Sequence, residues 1–159
     1  MKTLAFALAA TALASPALAD PMSPGEYVIT SAASDLYERT SSQVVLETSQ
    51  DARVRQFAQM MLTHHAQSTA DVAAAARQSS ITPPPPQLTP LQAELVAQLR
   101  AERGPARDLA YVAQQKQSHN AALNVQKAYA AEGTAPALRG AAQKIVPVVE
   151  MHIAELMKM

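Results

Sequence analysis

Apolar residues recur three and four positions apart along most of the chain, the period of a helix that packs along one face. The clearest stripe is Val54, Phe57, Ala58, Met61, Leu62, His65 and Val72. It predicts a helix that opens near Ser49-Gln50-Asp51, residues suited to the positive end of a helix, and closes before Ser79. Upstream, Ser23-Pro24-Gly25-Glu26 combines an N-cap serine, a first-turn proline and the glutamate of a capping box. A first helix is therefore predicted from about Pro24 to about Thr48. Its apolar positions Ile29, Ala32, Ala33, Leu36, Val44, Val45 and Leu46 are interrupted by serine and threonine, so its stripe is weak. Glu38 lies in line with Ser34, Ser41 and Val45, a face of small side chains where a carboxylate more commonly stays solvated than turns inward.

Pro83 to Pro86 predict a stiff polyproline II spacer that separates the two halves of the chain. Thr89-Pro90-Leu91-Gln92 repeats the capping pattern and opens a short helix with Leu91, Leu95 and Leu99 on one face. Gly104-Pro105 breaks or bends it. A long third helix follows to about Glu132, carrying Leu109, Val112, His119, Ala122, Leu123, Val125 and Tyr129, and Gly133 is predicted to end it as a left-handed cap. After Thr134-Ala135-Pro136 a fourth helix presents Leu138, Ala141, Ala142, Ile145, Val148, Val149, His152 and Leu156, with a bend expected at Pro147. Short turns inside each hairpin and a longer connection between them predict an all-α fold. Its economical form is an antiparallel four-helix bundle with a short extra helix in the middle connection.

The start of the chain changes this picture. Lys2, the apolar run from Leu4 to Ala14 and Ala17-Leu18-Ala19 predict a secretory signal peptide over residues 1–19, cut after Ala19, with one domain over 20–159. That apolar run is too short to span a membrane and no other stretch approaches about 20 apolar residues, so no transmembrane span is expected in the mature chain. A periplasmic or secreted location follows. The sequence has no cysteine, which excludes disulfides and argues against a lipid anchor. Loss of Lys2 leaves 12 basic residues against 13 acidic ones, a formal charge of −1 that gives no electrostatic case for nucleic acid. The expected partners are a second copy of the chain or another envelope protein.

Three of the four histidines carry the chemical signal. His65, His119 and His152 fall one on each of the second, third and fourth long helices, within or beside the inward stripe. Folding the hairpins back sets His65 opposite the Tyr37–Glu38 region, and His119 within one to two turns of the level of His152. Bundle interiors build metal sites from facing helices in this way. Neutral imidazole suits zinc, copper or iron, and methionine sulfur nearby would tilt the choice toward copper(I). The candidate ligands are His65, His119 and His152 with Glu38 as a fourth. His64, turned to the flank of its helix, and Met61, one turn below His65, are weaker candidates. The competing reading makes these histidines structural, hydrogen-bonded residues that fix helix register.

A di-iron carboxylate bundle needs Glu-x-x-His on two helices, and the pattern occurs nowhere in this chain. Glu150 precedes His152 by two positions, which sets them on different faces. The sequence also lacks a nucleophile elbow, a P-loop, a catalytic cysteine and a His-Glu-x-x-His zinc helix, so no catalytic residues are predicted. An oxidoreductase or hydrolase is disfavoured by the missing carboxylates.

Ser34-Asp35-Leu36-Tyr37-Glu38, Val54 to His65, Asp108-Leu109-Ala110-Tyr111 through Gln115 to His119, and Pro147 to His152 together resemble the DUF4142 family of exported bacterial proteins. The resemblance runs from about Tyr27 to about Leu156. It implies a ferritin-like helical bundle in the periplasm or envelope, without assigning it an enzymatic activity. It also implies that His65, His119, His152 and Glu38 occupy the family's histidine and glutamate positions. Two departures stand out: His64 replaces a usual aspartate, and Arg107 replaces a usual aromatic, putting a charge where an apolar anchor is expected. Two functions follow: a periplasmic metal-binding bundle for metal handling or stress protection, or a non-catalytic envelope interaction protein.

Overall fold

The computed structural model describes residues 21–159; the leader assigned to 1–19 and its cleavage after Ala19 lie outside the described residues. These fold into five helices, α1 (Pro24–Leu46), α2 (Ala52–Gln78), α3 (Pro90–Ala101), α4 (Gly104–Glu132) and α5 (Pro136–Leu156), with no strand among the described residues. The capping signals act as the sequence predicts. Ser23 Oγ accepts from the Glu26 amide while the Glu26 carboxylate accepts from the Ser23 amide, and Thr89 and Gln92 repeat the exchange at α3. Asp51 accepts from the Arg53 and Val54 amides at the start of α2. Each cap satisfies donors that the first helical turn leaves free.

The long helices meet in a cycle: α1 packs on α2, α2 on α5, α5 on α4 and α4 on α1, while α3 lies against α1 and α4. Two apolar clusters form the core. In one, Tyr27 and Val28 at the start of α1 meet Val72 and Ala76 late in α2, Tyr129 near the end of α4, and Leu138 to Val149 of α5. In the other, Tyr37, Val44 and Val45 meet Val54 to Met61, Tyr111, Leu156 and the α3 residues Val96 and Leu99. Along α2, α4 and α5 alike, the histidine falls between the residues of one cluster and those of the other. No helix among the described residues is long and apolar enough to cross a membrane.

Several expectations are corrected. Helix α1 stops at Leu46, two residues short of Thr48. Its inward face keeps only part of the apolar stripe: Ala33, Val44 and Val45 are buried and Ile29 is exposed, and Ser31, Asp35, Glu38, Ser41 and Ser42 are buried beside them. The reason is hydrogen bonding to α4 and, for Asp35, to His65 and Thr69 of α2. Tyr37 donates to Gln114 Oε1 at 3.0 Å, Ser42 and Tyr111 share a bond of 2.8 Å, Gln115 donates to Ser41 at 3.2 Å, and Tyr27 donates to Gln126 Oε1 at 2.7 Å. Leu91 and Leu109, expected inside, are exposed because α3 and α4 turn other residues, Val96, Leu99 and Tyr111, to the core. Gly133 has φ −56° rather than the left-handed conformation. Glycine is required there by space, since a Cβ would lie 2.5 Å from the Tyr129 carbonyl oxygen.

Arg107 is buried. Its guanidinium donates to the carbonyls of Val44 (2.6 Å) and Glu102 (2.8 Å) and to the Glu47 carboxylate (3.0 Å). Val44 lies in the last turn of α1 and Glu102 caps α3, so one cation ties down the negative ends of two helices.

Candidate metal centre

One ring nitrogen from each of His65, His119 and His152 lies within 4.8 Å of the others, and all three side chains are buried. Each ring is held from behind. On α2, His65 Nδ1 lies 2.8 Å from Asp35 Oδ1 of α1. A carboxylate accepts, so Nδ1 carries a hydrogen, and in the neutral ring Nε2 keeps its lone pair. Asp35 is itself fixed by Thr69, whose hydroxyl donates to Oδ2 at 3.1 Å. On α4, His119 Nδ1 donates to the Gln115 carbonyl at 3.0 Å, which frees Nε2. That Nε2 lies 3.2 Å from His152 Nδ1 of α5, and His152 Nε2 in turn lies 2.8 Å from His64 Nδ1. Phe57 packs against both His119 and His152, with ring centroids 6.1 and 6.3 Å away, and closes one side of the group.

Two buried polar atoms here have no hydrogen-bond partner: His65 Nε2 and Glu38 Oε2. Glu38 is 1% exposed, so of the two placements open to it the inward one holds rather than the more common solvated one. Its Oε1 accepts from Ser118 at 2.7 Å and sits 3.8 Å from His119 Nδ1. It thus approaches the edge of His119 away from His152. Met61 is wholly buried in the apolar cluster with Phe57 and Tyr111. His64, expected on the solvated flank, is half-buried and reaches across to α5 because the hydrogen bond to His152 holds it there.

The electrostatics keep most of the group neutral. Burial lowers His152 to about 2, helped by the charges of His119, His65 and His64. Burial also lowers His119, with Glu38 acting in the opposite direction. Burial pulls His65 down too, yet the bond to Asp35 and the charges of Glu38 and Asp35 outweigh it, so His65 lies above the ordinary value. Neutral imidazole is the form that ligates a metal, so the environment of His119 and His152 keeps lone pairs available at neutral pH.

The structure brings His65, His119 and His152 together and sets Glu38 and His64 beside them. Sequence reasoning missed Asp35, the partner of His65. Its one signal was position: Asp35 precedes Glu38 by three residues and so shares its helix face.

A crystal structure described as a "putative secreted protein DUF305 from Streptomyces coelicolor" is similar in fold, with a TM-score of 0.67 and 14% identity over 84% of this chain and 88% of that one. No curated protein matches the chain. The model of the family described as a domain of unknown function, DUF4142, matches residues 7–159, and the chain therefore belongs to the DUF4142 family.

Proposed function

We propose that this chain is an exported, ferritin-like protein, an antiparallel four-helix bundle with one added helix, that binds a transition metal through His65, His119 and His152 for metal handling or stress protection. Export rests on the leader read in residues 1–19, and the bundle reading on the cycle of contacts among α1, α2, α5 and α4. The observation that carries metal binding is His65 Nε2: a buried ring nitrogen without a partner, on a ring whose other nitrogen is held by a carboxylate. Carboxylate–histidine pairs of this kind orient metal ligands and raise their basicity. A buried orphaned acceptor otherwise costs about 1–3 kcal/mol.

Ligation asks little of the other two rings. His119 already offers Nε2. His152 would offer Nδ1 once its hydrogen sits on Nε2, where His64 Nδ1 can accept it. The 3.2 Å separation of His119 Nε2 and His152 Nδ1 suits two ligands of one ion bound at about 2.0–2.1 Å. The wider spacing to His65 needs a small inward movement of that ring. Glu38 supplies negative charge beside His119 and is the reserve ligand; His64 acts through His152.

A structural role for the histidines has one observation in its favour: the chain from His64 through His152 and His119 to the Gln115 carbonyl satisfies its own nitrogens without an ion. It leaves His65 Nε2 unexplained, and so ranks second.

Thermal melts of the metal-free full chain with added zinc, copper or iron(II) test the proposal. A ligand at a hundred times its Kd adds about 2.7 kcal/mol, a rise of roughly 8–10 °C for a domain of this size. The rise should vanish in His65→Ala. Melts unchanged by every metal would overturn the reading in favour of structural histidines.

A further inference from the structure

A cleft of about 160 Å³ opens beside the histidines. His65 and His152 line it and His119 does not, so the group faces the cleft through two rings and is sealed behind by the third. His64 lines it beside them. Ile145 and Val149 of α5 form the apolar wall, and the exposed Asp71 and Lys144 lie at the rim. At about 30 Å³ per water, the space holds roughly five waters, or a ligand of a few atoms.

From this juxtaposition we propose that the cleft is a binding site for a small ligand that completes the metal's coordination: water or hydroxide at rest, exchangeable for a monoanion of two or three atoms. The inference rests on the metal-binding reading above. Three protein ligands with a fourth position left to solvent or substrate is the arrangement of reactive metal sites, whereas a storage or structural site closes all four positions with protein. Here the described side chains do not close it. Glu38 is engaged by Ser118 on the far edge of His119 and Met61 is committed to the apolar cluster, and neither lines the cleft; Asp35 and His64 do line it, but Asp35 is engaged by His65 and Thr69 and His64 by His152. The apolar wall disfavours a large hydrated ligand, while the gap between His65 and His152 admits a slender one. Occupant size is therefore set by residues of α2 and α5, chiefly Ser68 and Val148, which line the cleft without belonging to the histidine group.

The test is an azide titration of the copper(II)-loaded full chain, followed by absorption spectroscopy. A new charge-transfer band should appear and saturate at one azide per copper. Ser68→Phe and, from the opposite wall, Val148→Phe fill the cleft; either should weaken azide by at least about tenfold through overpacking while copper still binds one per chain. Two variants are named so that a folding failure of one, seen by circular dichroism, leaves the other to decide. If copper binds but azide yields no band, or if both filled variants bind azide like the parent, the open position is refuted and the metal reading survives. If copper does not bind at all, both fall.

Discussion

Helices α1 and α2 pack against each other, yet they join the core by different physics. Helix α2 contributes area: Val54, Phe57, Ala58, Met61 and Val72 are buried, with His65 the one ionisable group among them. Helix α1 buries Ser31, Asp35, Glu38, Ser41 and Ser42 among its tyrosines and valines, and answers them with hydrogen bonds to α2 and α4. The first mode is insensitive to register over a fraction of a turn, because apolar contact has no direction. The second holds only when each donor meets its acceptor. A helix of the second kind can therefore position a residue such as Asp35 behind a candidate metal ligand, which a purely apolar face could not do.

Acid should have the largest effect, because it attacks the layer that the two helices share. His119 and His152 sit below the ordinary histidine value of 6.5 when folded, so the unfolded chain takes protons first. The stability they supply is present above pH 6.5 and declines as pH falls toward their folded values. His65 has the opposite sign: its contribution is complete below 6.5 and is lost as pH rises through its raised value. Between pH 6.5 and about pH 5 the two lowered histidines outweigh His65, whose remaining change ends just below 6.5, so the urea midpoint of the metal-free protein should fall over that interval. A midpoint that rises would show that the group is not held neutral.

Met61→Ala tests the area mode. Met61 is fully buried in the apolar cluster that includes Phe57 and Tyr111, and truncation should cost about 2–5 kcal/mol in chemical unfolding. Asp35→Ala tests the directional mode at the site. It leaves His65 Nδ1 without its acceptor and should weaken metal about 10–100-fold, measured by competition with a chromophoric chelator. Asp35→Asn, which keeps an acceptor, should recover part of that loss. Ser42→Ala tests the same mode away from the site and is the smallest change expected. It strands the Tyr111 hydroxyl at a cost of about 1–3 kcal/mol, and adding Tyr111→Phe should restore part of the loss rather than deepen it. Simple additivity of the two would deny that the bond links α1 to α4.

The same contrast explains what the sequence disclosed. Helix positions followed from caps and from periodicity, and Ser23, Asp51, Thr89 and Pro136 mark the starts as expected. The three histidines were legible because each sits in an apolar stripe whose inward face is known. The α1 face was not, since serine, aspartate and glutamate in a row read as solvated until the partners across the interface, Gln114, Gln115, Ser118 and His65, are seen. His64 and Leu109 were misplaced for a related reason. A helical wheel assigns a flank but cannot say whether a neighbour reaches over to it, and His152 does so at 2.8 Å for His64 while nothing covers Leu109. Arg107 shows the limit of reasoning by substitution. Expected to disturb an apolar anchor, its charge is accommodated because two helix ends offer carbonyls to it.

The central claim is that His65, His119 and His152 hold one metal ion, and calorimetric titration of zinc into the metal-free full chain tests it most directly. The account predicts saturation at one ion per chain, and loss of that binding in each of His65→Ala, His119→Ala and His152→Ala. Binding that does not saturate, or a stoichiometry unchanged in all three variants, would contradict it.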